Sequence, residues 1–163
     1  GGTITPLAHM PFVPEIPHAE LALVRVRIDD ADVLPGDGYE RYLKPFRTIE
    51  DLHVFGAVLG CLIANGRSAF PQSTTEQLLG VLAAILQLGR EDPRSSTVHL
   101  ALAGVLSTAH ALIDSLDLSP LDPDFRARLE RDLPLLRIAQ RVREARRVRA
   151  WEMVSPSPRP SPR

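Results

Sequence analysis

Two patterns divide the chain. Before residue 47 apolar positions either alternate with polar ones or are scattered among prolines. After it they recur every three or four residues. Leu52, Phe55, Leu59, Leu62 and Ile63 share one face of a helix. Thr48 stands where an N-cap belongs, with Asp51 three positions on to return the bond, and Asn65-Gly66 provides the stop. Ser73 and Glu76 form a second capping signal ahead of "QLLGVLAAILQLG", which Gly89 closes. Asp92-Pro93 or Ser96 opens a third helix with the stripe Val98, Leu102, Val105, Ala109, Leu112 and Leu116. Asp122-Pro123 opens a fourth, whose apolar side is Leu129, Leu133, Leu136, Val142 and Ala145. Pro134 inside it removes a backbone donor and crowds the preceding turn, which predicts a kink or a break.

The N-terminal third reads differently. Residues 1–18 carry four prolines and predict an extended segment. In "ELALVRVRI", residues 20–28, Val24, Val26 and Ile28 alternate with Arg25 and Arg27, the mark of a strand. Gly36 and Gly38 mark a turn in "LPGDG". A strand this short needs a partner to be stable. The fold expected is therefore mainly α: an antiparallel four-helix bundle over residues 47–151, preceded by an extended or β segment over 1–46. Residues 152–163, ending "SPSPRPSPR", form a Pro/Ser/Arg tail expected to be disordered.

Charge changes this picture only locally. The formal net charge is −1, which gives no bulk electrostatic case for nucleic acid. Residues 1–45 nevertheless hold seven acids against four bases, and residues 137–149 hold six arginines against Glu144. The single cysteine, Cys61, excludes an internal disulfide and fits a reducing, cytoplasmic setting. Its neighbours Leu59, Leu62 and Ile63 predict a buried, inert thiol. The longest apolar run is far shorter than the roughly 18–20 residues of a membrane span, so none is expected. The opening "GGTIT" lacks a methionine and reads as part of a longer protein.

The order of strand, "VRIDDADVLPGDGY", linker, "RTIEDLHVFGAVLG" and four helices resembles the C-terminal part of the acyl-CoA dehydrogenase family, where a β domain joins a four-helix domain. The resemblance covers the layout of about residues 18–150. It implies flavin-dependent α,β-dehydrogenation of acyl-CoA thioesters, with FAD as cofactor and homo-oligomers paired through the helical domains. Glu50 matches the place where a minority of the family carries the catalytic glutamate that takes the α-proton. "GRSAF" matches the family's Arg-x-x-Phe element, which implies cofactor-binding roles for Arg67 and Phe70. Pro71 stands where the family usually has glycine, and no late Gly-rich turn occurs, which implies a degenerate or fragmentary relative.

Other chemistry is thinly represented. His99 and His110 are three helical turns apart, about 16 Å along the axis, too far to share a metal. Asp29, Asp30, Asp32 and Asp37 crowd one turn without the spacing of a calcium loop. Ser73 and Ser107 have no evident base or oxyanion partner. "RIAQRVREARRVR" is the strongest rival signal. A basic C-terminal helix offers the alternative of a helical interaction module that binds a partner or an anionic surface. Its arginines are spread round the helix, and a solvated, partly packed face is expected.

Overall fold

The structure, a computed structural model, describes residues 1–155. Of the tail expected to be disordered over 152–163, residues 152–154 instead continue the last helix, and 156–163 lie outside the described residues. The fold is mainly helical with one short sheet at the N-terminus. Strands β1 (Gly2–Pro6) and β2 (Ala19–Leu23) pair antiparallel with Gly2 opposite Leu23, and Pro6 opposite Ala19. The segment expected only to be extended therefore supplies the partner that β2 needs. β2 is shorter than the alternation predicts, because Arg25 takes a φ of +51° and turns the chain out of the ladder. Gly1 and Val24 exchange both backbone bonds, so Ile4, Leu21 and Leu23 share one face of the hairpin. All three are more than half exposed.

Five α-helices follow: α1 (Lys44–Gly66), α2 (Gln72–Leu88), α3 (Ser96–Asp114), α4 (Pro123–Asp132) and α5 (Gln140–Val154). α1 begins before the expected Thr48. One wide turn over Tyr39–Leu43 leads into it, and Asp37 Oδ1 accepts the Glu40 N–H at 2.9 Å. Pro45 follows this turn in the first turn of α1, where the Lys44 N–H still bonds back to the Tyr39 carbonyl and Pro45 itself has no N–H to continue the pattern. Thr48 is thus a fully buried residue inside the helix rather than its cap. The second capping pair is likewise unused: α2 follows Pro71 with no side-chain cap. Asp122 caps α4 as expected, its Oδ1 accepting the Phe125 N–H at 2.9 Å.

Pro134 breaks the fourth helical stretch. α4 ends at Asp132, a tight 3-10 segment runs from Leu133 to Arg137, and α5 starts afresh. The break resets the rotational phase. Leu129 and Leu136 stay buried, but Val142 turns to solvent.

The core joins α1, α2 and α3 and is closed by Leu121, Leu129 and Leu136. Phe55, Leu59 and Leu62 from α1, Leu78 from α2 and Leu102 from α3 are fully buried. On α3 the deepest positions include Leu106 and Ile113, with Val105 and Leu112 partly buried beside them. Phe70 folds back so closely on Gly66 that a Cβ there would collide with its ring. Cys61, expected inside, is exposed on the outer side of α1, where Asn65 Nδ2 donates to its carbonyl at 2.8 Å.

The N-terminal segment is tied to the helices at α4. Asp132 accepts the Val13 N–H at 2.7 Å, and Arg131 holds Glu15 through two bonds of 2.8 and 3.0 Å. Two helical stretches, Tyr39–Gly66 and Ser96–Asp114, are long and apolar enough to cross a membrane by length and composition. Both supply core residues here, and the core helix of a globular fold passes the same test.

Leu102 lies at 0% exposure between α1, α2 and the end of the chain's core. Leu102→Ala is expected to lower the unfolding free energy by about 2–5 kcal/mol in urea titration, from lost transfer energy and a residual cavity. A loss below about 1 kcal/mol would mean that the site is not packed as described.

Candidate functional site

The densest polar cluster sits where α1, α3 and α5 meet. Asp51 is buried at 5% exposure in the second turn of α1. Both of its oxygens are taken by α5: Arg143 Nε donates to Oδ1 at 2.9 Å and Arg146 Nη2 to Oδ2 at 2.6 Å. Arg143 also donates from Nη1 to the Leu136 carbonyl at 2.6 Å, and its guanidinium lies 5.3 Å from the Phe55 ring centroid. Arg146 Nη1 donates to Thr48 Oγ1 at 3.2 Å. These contacts fix the directions of the helices. Residue 143 faces 51 and 55, and residue 146 faces 48 and 51, so α5 runs opposite to α1.

α3 contributes two histidines. His99 Nε2 lies 2.8 Å from the Pro93 carbonyl and 3.4 Å from Thr48 Oγ1. A carbonyl can only accept, so Nε2 carries the proton. His110 meets the Phe55 ring edge-on at 5.1 Å between centroids. Both imidazoles titrate below their ordinary value. For His99 the main cause is burial, reinforced by the Arg146 charge and opposed by the Pro93 carbonyl and Asp92. For His110 burial again leads, reinforced by Arg143 and Arg137 and opposed by Asp114.

Beside the cluster runs an open groove of about 540 Å³ between α3 and α5. His99, His110, Arg143, Arg146 and Trp151 border it, with Ala103 and Gly104 on its α3 wall. The terminal helix is largely exposed and packed on one side, in line with the expected solvated, partly packed face. Two of its arginines are turned inward, at 15% and 13% side-chain exposure, and hold α5 to the rest of the fold.

Among the described residues none of the three residues singled out by the family resemblance bonds within this cluster, and Glu50 lies at the other end of α1 from Arg67 and Phe70. Glu50 is on the outer side of α1, 42% exposed, in a 3.4 Å contact with Arg47 one turn away. Arg67 follows α1 at its C-terminal end and is exposed. The helix between them spans about 25 Å at 1.5 Å per residue. Phe70 is a core residue packed on Gly66. His53 is exposed, and among the described residues no three His, Cys, Asp or Glu side chains are grouped to hold a metal ion.

Asp51 is the residue that sequence reasoning passed over, because a capping role explained it locally. The signal was present. Thr48, Asp51, Phe55, Leu59 and Leu62 recur at helical spacing, which puts a carboxylate on the buried face. Arg143 and Arg146, three apart, are the matching pair. The chain matches none of the protein families, curated proteins or solved structures with which it was compared.

The histidine shifts have a definite sign. With the folded-state value lowered, the unfolded chain takes up protons first as pH falls through 6.5, the ordinary value. The unfolded state then binds more protons, so stability rises with pH in that window and drops on acidification. The urea midpoint is expected to fall between about pH 7.5 and about pH 5.5, a range that brackets ordinary histidine titration. The fall should flatten in the double variant His99→Gln/His110→Gln. An equally steep fall in that variant would assign the effect to other groups.

Proposed function

We propose that this chain is a helical protein-interaction module that associates through the outer face of α5. The observation that carries this reading is the inverted packing of α5. Arg143 and Arg146 point inward while Val142 and Val148 are 48% and 46% exposed. Val142, Ala145 and Val148 follow one another at helical spacing on α5 and share that outward face with exposed Arg141 and Arg149. A face that mixes apolar side chains with arginines fits a partner that presents apolar side chains among carboxylates. The chain itself has such a segment: Ile28, Val33 and Leu34 are more than half exposed and surround Asp29, Asp30 and Asp32. The partner proposed is therefore a second copy. Each copy's acidic segment docks on the other's α5, and two reciprocal contacts close a dimer.

A second reading follows the element order, a sheet and a turn leading into long helices. On it, α1, α2, α3 and the α4–α5 stretch form an antiparallel four-helix bundle of the acyl-CoA dehydrogenase type. Glu50 is then the base, and Arg67 and Phe70 bind FAD with acyl-CoA as substrate. The exposure of Glu50 and the core position of Phe70 favour the first reading.

Light scattering is expected to show a monomer–dimer equilibrium at micromolar concentration. Val142→Asp with Val148→Asp should weaken the dimer by about tenfold or more, with unchanged helical circular dichroism. A monomer at every concentration would contradict the module reading. A yellow preparation with a bound-flavin spectrum would favour the second.

A further inference from the structure

The charges around Asp51 do not balance. Arg143 and Arg146 share one carboxylate, and all three side chains are at most 15% exposed. Arg147, beside them on α5, is matched by Glu144 at 2.9 and 2.6 Å. Groove and adjoining cluster thus set three guanidiniums against two carboxylates, and burial with the nearby arginines disfavours the charged form of both histidines. A half-buried positive charge without a counter-charge is costly unless an anion approaches it.

Hydrogen-bonding capacity is left over in the same place. Arg143 donates from Nε and Nη1, and Arg146 from Nη1 and Nη2. Arg143 Nη2 and Arg146 Nε make no such bond among the described residues, yet no fully buried polar side-chain atom lacks a partner. Those two groups therefore keep access to solvent, and the groove is the open space both residues border. The imidazole of His110 meets a ring edge and makes no hydrogen bond among the described residues. The remaining wall sets Leu100, Ala103, Gly104 and Leu106 beside Ser107 and Gln140. A Cβ built on Gly104 meets nothing within 4 Å, and Trp151 closes one side.

We infer that the α3–α5 groove is a binding site for a small organic oxyanion, a carboxylate or phosphate on a compact apolar body, with the headgroup against Arg143 and Arg146. The volume of about 540 Å³ lies within the usual range of small-molecule sites. A single negative charge balances the excess. The apolar body lies along Ala103 and Gly104 towards Trp151. Guanidinium edges suit the planar or tetrahedral oxygens of both headgroups.

Trp151 is the only tryptophan in the chain and borders the groove, so its fluorescence responds to binding there. Octanoate and inorganic phosphate are titrated separately into the full chain at constant ionic strength, with chloride as the control. Saturable one-to-one quenching or enhancement by octanoate, by phosphate or by both is expected, and the tighter probe identifies the preferred headgroup. Ser107→Leu crowds the groove from an exposed position on α3 that lies outside the ion cluster. It should leave the fold intact and weaken octanoate binding by about tenfold or more, since the apolar body loses its seat. Glu144→Gln removes a surface carboxylate and should tighten binding of the responding probe several-fold. The inference is overturned if neither probe gives a saturable signal beyond chloride. It is overturned equally if both variants bind as the parent does.

Discussion

The position of α5 rests on one carboxylate. α5 follows a proline break, and the only one of its residues that is fully buried is Ala150, which has a single methyl group to contribute. Hydrophobic burial alone gives such a helix little hold. Asp51 substitutes for it by accepting from Arg143 and Arg146 at once, and the Leu136 carbonyl, Thr48 hydroxyl and Phe55 ring complete the environment. Removing one member of a buried pair typically costs about 3–5 kcal/mol, because the others are left charged and desolvated. Geometry matters as much as energy. A forked guanidinium accepts few alternatives, so the cluster sets the rotation of α5 about its own axis.

That rotation has two consequences. The face bearing Arg143 and Arg146 is inward, which leaves Val142, Ala145 and Val148 outward beside Arg141 and Arg149. The two arginines bring one more positive charge into the groove than its carboxylates cancel, which leaves a place for an anion. The proposed interaction surface and the groove are two sides of one helix, placed by the same ion cluster. A charge on the outward stripe should affect association without affecting the groove. Crowding the groove at Ser107 should do the converse.

Much of the fold was legible because local chemistry and tertiary packing agree. The α1 stripe of Leu52, Phe55, Leu59 and Leu62, the stop at Gly66, the cap at Asp122 and the break at Pro134 all stand as the sequence implies. Readings failed where a residue had a plausible local role and a stronger distant one. Thr48 and Asp51 make a good capping pair on paper, yet the helix starts earlier and both are spent on α5. Val142 and Ala145 continue the apolar side only if the fourth helix is unbroken, and Pro134 removes that condition. Cys61 sits among leucines in sequence, but at 100° per residue the neighbours of a buried residue are the exposed ones. The site was the least legible part. A cluster shared by residues 48, 51, 99, 143 and 146 has no local spacing to betray it, and only the unusual carboxylate on a buried stripe pointed there.

The most direct test of this account is a double-mutant cycle between Asp51 and Arg146, read as unfolding free energy in urea. Asp51→Asn keeps the shape and removes the charge, and Arg146→Met keeps much of the stem and removes the guanidinium. The account predicts a coupling energy of about 1 kcal/mol or more, the range of residues in one buried network. It also predicts that Asp51→Asn loses amide protection first in α5, while α1 to α3 keep theirs. A coupling within about 0.3 kcal/mol of zero, the level of independent sites, would show that something other than this ion cluster holds α5 in place.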